Sequence, residues 1–324
     1  MACLSSTKES AVPPDVSIVL VSYNTRHLLK RVLTAIEEGK GELQIQVIVV
    51  DNASRDCSAE FLRNDFPNVE LLQNSVNVGF GRANNQALSR VRGRYVLLLN
   101  TDAFVSSDTL PKSVKFMDEH KSCGVLGVKL IGEDGSLKLS CCYFPTPWNL
   151  ALQMTRLGKF FPNIRLIDDM SWDHGSLRSC DWVPGCYYMM RRDVIKTVGL
   201  FDPRYFLYWE EVDHCRRVRE AGWDVIYYPY THVVHIGFQS GETFDADRRQ
   251  IPALFTESLL LYLRKHHGWL GMLALAFLMI LYDLASAAKR TIGQDVTIAQ
   301  QRLKHARLVL RVLRKTRLAS RPTL

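Results

Sequence analysis

The first fourteen residues lack the basic start, apolar run and small-residue cleavage site of a secretory leader. They are polar and are expected to be disordered. Eight cysteines form no Cys-x-x-Cys pair and no metal-site spacing. That excludes a zinc ribbon and, without a leader, points to reduced thiols in the cytoplasm. A clear membrane span is also missing. Trp269 to Tyr282 is 14 residues without a charge, about 21 Å of helix against roughly 30 Å of hydrocarbon. Extension to Ala288 takes in Asp283, and Arg264, Lys265, Lys289 and Arg290 flank both ends, so no crossing direction is favoured. Acid is scarce at the end of the chain. Between Lys289 and Leu324 stand ten Lys/Arg and one acid, Asp295, which accounts for the net charge of +8 and leaves the body about neutral. A nucleic-acid-binding body is thereby disfavoured and no nucleic acid is expected as a partner. The tail suits an anionic membrane surface.

What is present is a globular composition, 47% hydrophobic and 23% charged over 324 residues. It fits one large domain or two small ones. The centre of the pattern is Tyr95-Val-Leu-Leu-Leu-Asn100-Thr101-Asp102. An apolar run ending in small polar residues predicts an interior strand of a parallel sheet. In open α/β sheets ligands bind beyond the carboxyl ends of such strands. Asn100 and Asp102, at i and i+2, suit a hard divalent cation, Mg²⁺ or Mn²⁺; a plain polar turn is the alternative.

Strands are predicted at Val16–Ser22 and Gln44–Val50, ending in Ser22-Tyr23-Asn24-Thr25 and Asp51-Asn52-Ala53-Ser54, with helices after each. Strands alternating with helices make a doubly wound layer. Gly79-Phe-Gly81-Arg-Ala-Asn84 lacks the third glycine of a dinucleotide fingerprint and does not follow the first strand. It reads as a phosphate-approachable helix start or a plain glycine turn. A helix is expected from Ala83 to Val91. Val125–Leu130 is a strand, with a hairpin partner at Leu137–Cys142 across the turn Gly132-Glu-Asp-Gly135. The Pro- and aromatic-rich stretch from Phe144 to Leu177 is a long loop with short helices, facing substrate or mobile. Cys186–Met190 is a further strand.

A second polar group follows: Phe206-Leu-Tyr208-Trp209-Glu210-Glu211-Val212-Asp213, opening a helix that ends at Gly222. Acids in a first turn complement the helix dipole. Helical geometry puts Glu210 and Asp213 on one face and turns Glu211 away. The aromatic residues before them favour a carboxyl with a raised pKa, as a general base needs. His232 and His235, near the strand Val225–Tyr228, are candidate ligands or structural histidines. Leu254–Leu263 is an apolar helix. Leu303, Ala306, Leu310 and Leu313 share one face of a basic amphipathic helix, suited to a membrane surface. Docking on the core or on a second copy is the alternative, so a homo-oligomer stays open.

These pieces, in order, resemble the inverting family 2 glycosyltransferases, and their rhamnosyltransferase-like branch in particular. The resemblance rests on Val19-Leu-Val-Ser-Tyr-Asn24, Val49-Val-Asp51-Asn-Ala-Ser54, Asn77-Val-Gly-Phe-Gly81 with Ala83-Asn84-Asn85, and Leu99-Asn100-Thr-Asp102. It continues in Val183-Pro-Gly185, Gly199-Leu-Phe-Asp202, Phe206 to Asp213 with Ala221-Gly-Trp223, and His235, covering about Val16 to Ser240.

The resemblance implies a GT-A fold: an α/β, Rossmann-like mixed sheet flanked by helices, here with a C-terminal helical membrane-associating extension. The expected division is a disordered 1–14, a donor half of about 15–125, an acceptor half of about 126–245, and the extension 246–324. It implies a nucleotide-diphosphate sugar donor, dTDP-rhamnose first and a UDP-sugar second, and a lipid-linked saccharide acceptor in cell-surface glycan assembly. Ser22, Tyr23, Asn24 and Asp51 would hold base and ribose. Asn77, Gly79 and Asn84 would line the donor pocket, beside Asn100 and Thr101. Asp102 and His235 take the metal-ligand positions. Glu211 takes the place of the base, more often Asp. Trp182, Gly185, Trp209 and Glu210 fall on the acceptor side, and Asp213 and Arg216 would orient the acid or hold the leaving side. Asn100 stands where many relatives have Asp, so its contact with a metal would be weak or through water. The implied place is the cytoplasmic face of the cell membrane, peripherally attached. Two other classes fit less well. A sugar-phosphate nucleotidyltransferase carries a glycine- and basic-rich loop where this chain has Ser-Tyr-Asn-Thr. A non-catalytic scaffold has no need of Asp102, Glu211 and His235.

Overall fold

The computed structural model describes residues 13–161, 163–167, 170, 172–237 and 250–322. The N-terminal segment expected to be disordered lies almost wholly outside these residues, as does the end of the expected acceptor half.

Nine strands form one mixed sheet in the order β3-β2-β1-β4-β8-β6-β9-β5, with β7 also on β9. They are β1 (Val16–Ser22), β2 (Ile45–Asp51), β3 (Glu70–Gln73), β4 (Tyr95–Leu99), β5 (Ala103–Val105), β6 (Cys123–Ile131), β7 (Arg178–Ser179), β8 (Tyr187–Arg191) and β9 (Asp224–His235). The first four are parallel to one another. β4 is interior, as expected, but pairs antiparallel with β8 on its other edge. The apolar run Tyr95–Leu99 is buried throughout, as a strand covered on both faces requires. Alternation along β1 splits the core: Ile18 and Leu20 join one cluster and Val19 the other. The first cluster takes α1 (Arg26–Gly39) and α4 (Thr109–Glu119). The second takes α3 (Phe80–Ala87), α6 (Arg192–Val198) and α7 (Glu210–Glu220); α2 (Ser58–Asp65) flanks the β3 edge.

Two local expectations change and a third holds. α3 begins at Phe80 rather than Ala83, because Gly79 supplies the left-handed cap, φ 88°. The hairpin partner at 137–142 shrinks to a single bridge, Ile131–Leu137; Lys138 bonds back to Leu130 and the chain then turns inward. Within 144–177 the chain forms α5 (Pro147–Thr155), started by a Thr146–Asn149 capping box.

The C-terminal region is a helical pair. α8 (Gln250–Ile292) is broken at Gly268, where φ 72° and ψ 175° leave the helix. α9 (Val296–Lys315) packs back along it. Asp283, the acid that interrupts the apolar run, is 1% exposed. It is paired with Arg302 at 3.2 Å and His305 at 2.5 Å, both on α9. Burying a charge without partners is costly, so this site fixes the register of the pair. The face predicted for α9 shifts accordingly: Ala306, Val309 and Val312 are buried against α8, while Leu303 and Leu310 stay outside.

Candidate active site

A cleft of about 580 Å³ opens beyond the carboxyl ends of β1, β4 and β9. Sheet pairing builds its centre. After β4 the chain turns at Asn100-Thr101-Asp102, with the Ala103 amide donating to the Asn100 carbonyl. β5 then runs antiparallel to β9, pairing Ala103 with His235, and the Ile236 amide donates to the Asp102 carbonyl. Two residues 133 positions apart in sequence thus meet, His235 Nε2 lying 3.4 Å from Asp102 Oδ1. With no cation bound, burial disfavours the charged imidazole, but Cys186 and the Asp102 carboxylate outweigh it and push His235 up to about 10; a bound cation would displace that proton. Asn100 Oδ1 is buried with no hydrogen-bond partner among the described residues. A carboxylate, an imidazole and an orphaned amide oxygen suit Mn²⁺ or Mg²⁺. No group of three or more His, Cys, Asp or Glu arranged for a metal occurs among the described residues, so the fit is to an ion completed by substrate oxygens. His232 points elsewhere. Its spacing of three from His235 puts it on the opposite face of β9, and its carbonyl accepts from Ser106 and Thr109.

The opposite wall is the start of α7. Tyr208 (φ 68°) and Trp209 (φ 71°) are consecutive left-handed residues before it. Each non-glycine residue in that region costs on the order of 1–2 kcal/mol, so the surrounding packing must hold the turn. The sharp entry aims the first helical residues end-on at the cleft. Glu210 and Glu211 therefore both line it, whereas Asp213, one turn on, points to α8. This reverses the pairing expected from helical spacing, which assumed a helix lying side-on. Burial pushes the Glu211 carboxyl up to about 7, against the pull of the Glu211, Val212 and Gly185 amides. Burial and the adjacent Glu211 raise Glu210 well above the usual carboxylate range. One oxygen of each lacks a partner among the described residues. Such pairs, displaced toward neutrality in a cleft, are where acid–base work is done.

The two walls are tied at Gly79. A Cβ there would stand 2.4 Å from the Phe206 carbonyl, and the Phe80 amide donates to that same oxygen at 2.8 Å. Only glycine allows this approach. Tyr23, Asn77, Gly79, Thr101, Trp182 and Gly185 line the cleft with the residues already placed.

Asp213 and Arg216, which reaches Tyr262 and His267 on α8, are not in that lining, and neither are five further expected residues. Ser22 is buried, its hydroxyl 3.0 Å from that of Thr25. Asn24 is left-handed (φ 53°) and accepts from the Arg55 amide at 2.6 Å. Asp51, at the end of β2, is fully buried, and neither oxygen has a hydrogen-bond partner among the described residues. Burial raises its pKa, with Ser54 pulling the other way. Asn84 donates back to the Phe80 carbonyl within α3. Trp209 faces α8, packed on Phe255 and Tyr262.

Other residues were not foreseen. Asn52 holds the 74–79 turn, donating to Asn77 Oδ1 at 2.7 Å and accepting from the Val78 amide at 3.1 Å. Phe80 joins Phe206 and Tyr208, the aromatic residues already expected beside the carboxylates, in giving the cleft apolar faces. Lys138 is the sole Lys or Arg lining it among the described residues. Asn52 was legible beside Asp51; Lys138 was not, because it depends on the hairpin that does not form.

The family described as Glycosyl transferase family 2 matches residues 17–165. The chain is similar to an N-acetylglucosaminyl-diphospho-decaprenol L-rhamnosyltransferase of Mycobacterium tuberculosis, 26% identical over 266 residues, covering 78% of this chain and 85% of that protein. It is also similar to a rhamnosyltransferase of Escherichia coli (strain K12), 24% identical over 243 residues, covering 71% and 86%. Among solved structures, a mannosyltransferase from Pyrobaculum calidifontis in complex with GDP-Man and Mn²⁺ superposes with a TM-score of 0.55 over 96% of this chain and 89% of that one, at 16% identity. At that identity the likeness is one of fold.

Proposed function

We propose that the chain, which has a GT-A fold, is a family 2 glycosyltransferase of the rhamnosyltransferase-like branch, and that it moves a sugar from a nucleotide diphosphate to a hydroxyl of a lipid-linked saccharide, with inversion. The observation that carries this reading is the meeting, in one cleft, of the Asp102–His235 pair with a buried Glu211 whose carboxyl is raised to about 7. dTDP-rhamnose is the first donor to test and a UDP-sugar the second.

In this reading Asp102 and His235 hold a divalent cation, with Asn100 turned toward it. Held there, such an ion would supply positive charge to offset that growing on the departing diphosphate. Tyr23, Asn77 and Thr101 line the donor side, with Asp51 behind them at the end of β2. Lys138 supplies a further positive charge. Glu211 takes the proton from the acceptor hydroxyl as that oxygen bonds to the anomeric carbon. The bond from that carbon to the diphosphate oxygen breaks on the opposite face, and its electron pair leaves with the diphosphate. Glu210, its carboxyl shifted toward the neutral form by burial and by Glu211, hydrogen-bonds the acceptor, and Trp182 and Gly185 bound the acceptor space. The donor half is 15–125 and the acceptor half 126–245. A shift in melting temperature on adding dTDP, UDP or GDP with Mn²⁺ identifies the nucleotide. No shift with any of them contradicts the donor site.

The region 246–324 is the membrane-associating part in this account. Leu270, Phe277, Leu281 and Leu284 recur at helical spacing on α8 and are 65%, 63%, 45% and 45% exposed, an apolar stripe beside the basic α9. Such a surface suits the inner, anionic face of a cell membrane. Full-length protein is expected to sediment with vesicles containing anionic lipid, and the triple variant L270S/F277S/L281S to remain in the supernatant. Equal sedimentation of the two contradicts the assignment. Self-association lost in that variant, without vesicle binding in either protein, makes the stripe an oligomer surface.

A further inference from the structure

The first half of α8, residues 250–267, is built into the wall that carries Glu210 and Glu211. Ser258 Oγ donates to the Leu207 carbonyl at 2.9 Å. The Phe255 ring packs on both left-handed residues, Tyr208 and Trp209, at centroid distances of 5.8 and 5.6 Å. One turn into α7, Asp213 is fully buried. Its Oδ1 receives Lys265 Nζ at 2.7 Å and His266 Nε2 at 2.7 Å, and its Oδ2 receives Arg217 Nε at 3.0 Å. Lys265 also reaches Asp202 Oδ2 at 2.8 Å. Burial raises the Asp213 carboxyl, but His266 and Lys265 outweigh it and hold it down at about 2.

We infer that Lys265 is a positioning residue for the transfer reaction. Through Asp213 it fixes the rotation and depth of α7, and hence where the Glu211 carboxylate stands. The inference rests on the reading of Glu211 as the base. A strained entry at Tyr208–Trp209 does not hold itself, and a buried carboxylate that loses one of its cations pulls on those that remain. The cation-site residues of the donor wall stand on β4, β5 and β9, and the tie between the walls, Gly79 against Phe206, comes before the left-handed entry, so the effect falls on the reacting geometry. Gly268 breaks α8 immediately after His267, and the exposed stripe begins at Leu270. The half of α8 that meets lipid and the half that holds the catalytic helix are therefore consecutive.

The test uses full-length protein, dTDP-rhamnose and a lipid-linked N-acetylglucosaminyl diphosphate as acceptor. If the wild-type protein makes no product, the proposed function fails and the latch is not the cause. With an active wild type, K265M is expected to lower kcat by about tenfold to a hundredfold, the range for small misplacements of reacting groups. The donor KM is expected to stay within about twofold and K265R to recover most of the loss, since it keeps the cation. A kcat for K265M within about twofold of wild type overturns the inference. So does a K265R as slow as K265M with the same fall in melting temperature, which is what a purely structural ion pair gives. If K265M does not fold, H266Q carries the test: a reduced kcat at unchanged donor KM supports the latch, and an unchanged kcat overturns it.

Discussion

Glutamine at position 211 is expected to abolish transfer while the protein folds and still binds nucleotide. The loss should be about 10²- to 10⁴-fold in kcat, the usual contribution of a positioned general base. The side chain keeps its size, so the cleft keeps its shape, and the donor side is built from other strands. Two pH measurements separate this from a local disturbance. In the wild type, kcat should rise with pH through about 7, where Glu211 loses its proton, and this limb should vanish in E211Q. Stability should respond in the opposite sense. A carboxyl raised from 4.5 to about 7 binds its proton more tightly in the folded state, so folding stability is full below about 4.5 and falls as pH rises toward 7. E211Q removes that cost. Its melting temperature should exceed the wild type's at pH 8 and match it near pH 4. Near-normal turnover, or a melting temperature lower at both pH values, contradicts the assignment of the base.

The second large effect is at Asp102. D102A is expected to lose metal-dependent nucleotide binding, and transfer with it, by about a hundredfold or more, since a bound cation at a phosphoryl oxygen is worth several kcal/mol. The signature is in the comparison of conditions. Wild-type protein should bind dTDP or UDP more tightly with Mn²⁺ than with excess EDTA, and D102A should bind weakly and equally in both. His235 faces the same point at 3.4 Å, so H235A is expected to reduce the metal response in the same direction. Equal affinity of the wild type with Mn²⁺ and with EDTA contradicts the metal site.

The parts of this site that were legible in sequence are those whose signal is local. An apolar run ending in Asn100-Thr-Asp102 marks a strand end because burial and the polar turn are adjacent in the chain. The glycines of Gly79-Phe-Gly81 mark a turn before a helix, but not that Gly79 itself caps it and starts α3 at Phe80. The acceptor wall was harder to read. Helical spacing alone pairs Glu210 with Asp213, but Tyr208 and Trp209 bend the entry and turn Glu210 and Glu211 into the cleft. Nothing in their residue types announces φ above zero; packing against Phe255 imposes it. Asp283 was visible as an anomaly in an apolar run, but its partners Arg302 and His305 lie a helix away. The meeting of Asp102 with His235 was implied by the family resemblance and not by local pattern, because it depends on β5 pairing with β9, a contact no sequence window contains.

The central claim is most directly tested by the anomeric configuration of the product. Purified full-length protein, incubated with dTDP-rhamnose, Mn²⁺ and a lipid-linked N-acetylglucosaminyl diphosphate, is expected to form a glycoside whose anomeric centre, read by NMR, is inverted relative to the donor. Transfer with retained configuration would contradict a single displacement driven by Glu211, and so would sugar–nucleotide cleavage with no glycoside formed.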